Sequence, residues 1–158
     1  KVDASVEFPT DEQLFVAAAA LAYLVAAVHL FHPTHGFSRL VLVLSTDVGL
    51  LVADPRPLAF VLSAVAILVG VPLVLRGAPE RPVYAIGAVL MLTYVVGYFA
   101  WHLSGHGGFL PGREPLYHGL TPVEAVVGHM TTDPWAAISV IAELGVLGLL
   151  LALLVRSD

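Results

Sequence analysis

The chain has 158 residues, of which 58% are hydrophobic and only 12% charged, with a net charge of −5. A soluble domain carries about twice that charged fraction, so too little polar surface is present to cover a water-soluble globule. Cysteine is absent and lysine occurs once, at Lys1, which excludes disulfides, iron–sulfur ligation, thiolate metal sites and a retinal Schiff base within a span. With no basic patch, nucleic-acid binding is excluded too.

The expected fold is all-α, a single polytopic membrane helix bundle over 1–158 with about five transmembrane helices and a short interfacial helix. Thr10 and Gln13 have capping-box spacing, so a first span runs over about 11–31 and stops at Pro33 and Gly36. Roughly 20 residues at 1.5 Å each cross a 30 Å hydrocarbon layer. A second apolar stretch, 37–53, is short for a crossing; it is read as a span, with a half-span that does not cross as the alternative, which would change which histidines share a side. Asp54-Pro55 reads as a helix start for a third span over 55–76. The fourth covers 82–104, before Gly105, Gly107 and Gly108. Within the long loop that follows, Thr121 and Glu124 form a second capping-box pattern, opening an interfacial helix over 122–128. Asp133-Pro134 starts the fifth span, 134–155.

Three groups of residues carry chemistry. His29, His32 and His35 lie at the end of the first span, the first two sharing a helix face. His102, His106, His118 and His129 lie at the end of the fourth span and in the long loop, on the opposite side in a five-span chain. Tyr94, Tyr98, His102 and His106 recur every four residues, and with Trp101 the tyrosines read as a cofactor-pocket wall or as an interfacial aromatic belt. Neutral imidazoles bind transition metals, and paired histidines hold haem. The third group is the two acids in apolar runs, Asp47 beside Ser45 and Thr46, and Glu143 one turn after Ser139. An acid in a hydrocarbon layer is expensive and marks a proton or ion pathway by default; the plainer alternative is structural hydrogen bonding between helices.

The function expected from these groups is an integral membrane subunit of a redox or respiratory-type assembly. It binds haem or a transition metal through its histidines, assists proton transfer through its buried acids, and is not a stand-alone enzyme. The alternatives are a small oligomeric proton or divalent-metal transporter and a structural scaffold subunit. The expected partners are the lipid bilayer and other membrane subunits or further copies of the chain, and the expected setting is a prokaryotic cell membrane.

Overall fold

The computed structural model describes residues 9–157, so the two ends of the expected domain lie outside it. Those residues form seven helices: α1 (Asp11–Phe31), α2 (Phe37–Thr46), α3 (Leu50–Ala53), α4 (Arg56–Leu75), α5 (Glu80–Leu103), α6 (Pro122–Thr132) and α7 (Pro134–Arg156). Four of them, α1, α4, α5 and α7, are long and apolar enough to cross a membrane.

The four long helices run alternately up and down. His29 near the end of α1 meets Ser63 near the start of α4 and Glu143 in the first half of α7. At the other end, Arg156 of α7 donates to Pro9 O and to Asp11 at the start of α1. Tyr94, late in α5, donates to Ala59 O, early in α4. Helix α7 packs between α1 and α5, and α1 also packs on α4. Small residues allow the close approach: a Cβ on Gly87 would meet Leu150 Cδ1 at 2.9 Å, and one on Gly145 would meet Leu21 Cδ1 at 2.9 Å. Gly145 thus serves contact within the bundle, whereas Gly148 faces open space. Val25, Ala64, Met91 and Val146 fill the centre, while Ile86, Val96, Ile141 and Leu151 turn outward. That inverted exposure suits helices whose surroundings are hydrocarbon.

The stretch 37–53, expected as a span, is two short helices. Ten residues of α2 reach only about 15 Å. The polar trio after Leu44 ends that helix. Ser45 Oγ and Thr46 Oγ1 donate back to Leu42 O at 2.9 and 2.8 Å, and Asp47 Oδ1 accepts the Gly49 N–H at 2.9 Å. Short polar side chains that satisfy nearby main chain compete with helix continuation. Asp47 is therefore an exposed C-cap residue rather than a mid-span acid.

Elsewhere the caps hold. Thr10 and Gln13 form a capping box, as do Thr121 and Glu124. Asp133 Oδ1 accepts from Trp135 N and Ala136 N at the start of α7. Helix α6 continues past Gly128 to Thr132, which places His129 on a helix rather than in a loop. Asp54 does not cap by itself. It accepts from the Arg56 main-chain N–H and holds the Arg56 guanidinium by two bonds of 2.8 and 2.7 Å.

Because 37–53 returns to the end it left, the topology differs from the five-span expectation. Both histidine groups fall at one end of the bundle instead of at opposite ends. Among the described residues Arg39, Arg56 and Arg113 lie there, and Arg76, Arg81 and Arg156 lie at the other, so arginine bias gives no orientation.

Candidate metal centre and buried histidine–glutamate pair

His102, His106 and His129 converge: one ring nitrogen from each lies within 4.8 Å of the others. Three local structures bring them together. His102 sits in the last turn of α5, and its Nδ1 lies 2.9 Å from Tyr98 O. His129 is on α6, with Nδ1 2.7 Å from Ala125 O. His106 follows the α5 terminus with φ of 58°, between Gly105 (φ 68°) and Gly107 (φ 83°). A Cβ at Gly107 would stand 2.6 Å from the Trp101 ring, so the loop lies flat on that indole only because this position is glycine. The returning segment of the loop pins the turn, with Leu116 N donating to Gly105 O at 2.9 Å and Leu116 O lying 2.7 Å from His106 Nδ1.

A carbonyl only accepts, so each of the three Nδ1 atoms carries the hydrogen. Each Nε2 is then left with a lone pair. His106 Nε2 and His129 Nε2 face one another at 3.1 Å. Two acceptors at that distance repel unless a cation or proton lies between them. Imidazoles oriented through Nδ1–H to main-chain carbonyls are the usual supporting arrangement of metal-binding histidines. Burial, the largest influence, holds the His106 imidazole below its ordinary range, which keeps a nitrogen free for a metal at neutral pH.

Tyr98 packs against the His102 ring at 4.4 Å and donates to Val126 O, so it walls this site. Tyr94 and Trp101 do not. Tyr94 packs on His29 at 4.5 Å. Trp101 is covered by the guanidinium of Arg56 at 3.7 Å and approached by that of Arg113 at 4.8 Å. His118 stands at the rim, exposed, its ring 5.1 Å from that of His106.

The second constellation lies inside the bundle. His29 is fully buried and Glu143 is 2% exposed. His29 Nε2 lies 3.1 Å from Glu143 Oε1, Ser139 Oγ donates to that same oxygen at 2.7 Å, and Ser63 Oγ lies 2.8 Å from His29 Nδ1. Phe60 stacks on the imidazole at 4.4 Å. Glu143 thus has a basic partner inside the bundle, His29 on α1, 114 residues distant in the chain. Ser63 carried only a faint signal, a lone hydroxyl in the apolar run LAFVLSAVAILVG. The arrangement is not a nucleophile relay. Ser63 and Glu143 do occupy opposite ring nitrogens, as a serine–histidine–acid relay requires. The Ser63 hydroxyl, however, donates to Phe60 O and is buried at 3% exposure, so it presents no free nucleophile to a substrate, and Ser139 shares Nε2 with Glu143.

His32 and His35 continue outward from His29, their rings 4.8 Å apart. Thr34 links them, its Oγ1 lying 3.3 Å from His32 Nδ1 and 2.9 Å from His35 Nδ1. His35 Nε2 is 3.8 Å from Asp54. Burial and then the Arg56 guanidinium hold His35 down to about 4. Among the described residues the first histidine group forms no three-donor cluster.

No protein-family model, curated protein or solved structure matches the chain.

Proposed function

We propose that this chain is a multi-pass protein of a prokaryotic cell membrane, acting as a subunit of a redox or respiratory-type assembly and holding a transition-metal ion on His102, His106 and His129. The observation that carries the metal site in this reading is the 3.1 Å approach of two Nε2 atoms whose rings have both committed their hydrogen elsewhere. Two imidazoles bound at about 2.0–2.1 Å to a tetrahedral ion stand roughly 3.3 Å apart. Two on opposite sides of a haem iron would stand roughly 4 Å apart at similar bond lengths, so the geometry favours a bare ion over haem. An all-imidazole donor set suits zinc, copper, nickel or iron and disfavours magnesium and calcium. Three protein ligands leave a coordination position for water or a partner's group. The outward apolar faces of α4, α5 and α7 suit lipid or neighbouring subunits.

The transporter alternative receives less support. It needs polar groups along the whole crossing. Below Glu143 and His29 lies a half-open apolar cavity of about 340 Å³ between the helices, lined by residues such as Ala22, Ile67, Met91 and Val146 and reaching the outward-facing Val69 and Ile86, with Tyr84 the one polar-tipped side chain among its described lining residues.

The test is elemental analysis and an optical spectrum on one detergent-purified sample, beside a His106→Ala/His129→Ala variant. Near one transition-metal ion per chain, lost in the variant, supports the reading. Metal retained by the folded variant, or a chain that takes up none on titration with zinc or copper, overturns it.

A further inference from the structure

The buried pair is independent of the metal centre and has its own proton accounting. Ser63 has one hydroxyl hydrogen, and Phe60 O, 2.8 Å away, only accepts. The Ser63 contacts with Phe60 O and with His29 Nδ1 are both satisfied when Nδ1 carries a hydrogen. Ser139 gives its hydrogen to Glu143 Oε1. A single proton then lies between His29 Nε2 and Glu143 Oε1, 3.1 Å apart. Whether it rests on nitrogen or on oxygen, the pair carries no net charge. That neutrality explains how an acid and an imidazole coexist at full burial without further counter-charge.

Access is one-sided. Toward the opposite end, Met91 and Val146 lie one turn below Tyr94 and Glu143, and the apolar cavity follows. Toward the histidine end, His32, the C-cap residue of α1, follows three residues after His29, then Thr34, His35 and Asp54. Phe60 stands between the two stages, stacked on His29 at 4.4 Å and edge-on to His32 at 5.6 Å. Among the described residues the other titratable groups against the pair are Tyr94 from α5 and His32 from α1; α4 and α7 add only the hydroxyls of Ser63 and Ser139. Arg56 and Asp133 act on His32 further out.

We propose that His29 and Glu143 form a proton-binding site that opens only to the histidine end, with His32 as its relay and Phe60 as its gate. At rest the site holds one proton. On loading, a second proton arrives through His32, leaving Glu143 as the carboxylic acid and His29 as the imidazolium, with one net positive charge gained. Unloading returns it by the same route, and nothing crosses to the far face.

The experiment uses the full chain in lipid vesicles. Infrared spectra follow the Glu143 carboxyl during acid titration and its hydrogen–deuterium exchange after a jump in external solvent, with Glu143→Gln assigning the band. The expected result is one proton taken up by the pair on acidification, seen as growth of the carboxyl band if the resting proton is on His29 or as a new imidazolium band if it is on Glu143, with the carboxyl band missing in Glu143→Gln. His32→Gln slows exchange by roughly a hundredfold, the scale of a positioned proton-transfer group, and Phe60→Ala speeds it. Vesicles of the wild-type chain hold an imposed pH gradient. Carboxyl and imidazolium bands both unchanged by pH, exchange indifferent to both His32 and Phe60, or collapse of the gradient each overturns the proposal. The gradient and Phe60 arms stand even where Glu143→Gln fails to fold.

Discussion

His106 and His129 aim their Nε2 atoms at each other across 3.1 Å while each ring binds a main-chain carbonyl, Leu116 O or Ala125 O, through Nδ1. The contact is repulsive until an electron-pair acceptor enters it, so it is built for a metal ion or a proton. Removing either ring should lower zinc or copper affinity by roughly a hundredfold or more, beyond the effect of losing a supporting partner alone. The fold should survive, because both rings are only partly buried and sit outside the bundle core. Calorimetric titration of the single-alanine variants, with helicity measured on the same samples, checks both points.

Acid should weaken the fold in a defined window. His35 is held down to about 4, and His32 and His106 are also held below their ordinary range, burial being the largest cause for all three. These rings stay neutral in the folded chain, while an unfolded chain protonates them near 6.5. Between those values the unfolded state binds more protons, so stability falls as pH falls from about 6.5 toward 4. Thermal unfolding in detergent should show a transition temperature that is flat above pH 7 and declines below 6.5. His35→Gln should flatten part of that decline.

The sequence made the four long helices legible because length, apolar content and caps are local properties, and Thr10, Thr121 and Asp133 cap where their spacing says. It left 37–53 open between a span and a half-span because Ser45, Thr46 and Asp47 carry two opposite readings. Hydroxyls and a carboxylate in an apolar run are the same letters whether they line a path or stop a helix. That one break decides which end of the bundle receives which histidines. His102 and His106 were visible as near neighbours at the end of α5, but their meeting with His129 depends on α6 folding back, and the pairing of His29 with Glu143 depends on packing across 114 residues.

The topology has a direct check, since the chain lacks cysteine. Single cysteines at Thr34 and Leu120, both exposed at the histidine end, should react with an impermeant maleimide from the same side of sealed vesicles. Cysteines at Glu12 and Arg76 should react from the other side. A five-span chain would instead put Thr34 and Leu120 on opposite sides, so a split between those two labels would refute the fold described above.

The cost of disturbing the buried pair should depend on what is left behind. Ser63→Ala orphans the His29 Nδ1–H, for which about 1 kcal/mol is expected, the low end of the range for an unsatisfied buried donor and near the modest values found for side-chain hydrogen bonds in membranes. His29→Ala leaves Glu143 enclosed with only Ser139 as a partner and opens a cavity between α1, α4 and α7. Breaking a buried pair in this way costs about 3–5 kcal/mol. Replacing both members, as in His29→Leu/Glu143→Leu, removes the orphan along with the pair and should recover most of that loss. Unfolding equilibria in mixed detergent micelles should therefore rank the double variant above His29→Ala, and a double variant less stable than His29→Ala would mean that the pair contributes more than mutual neutralisation.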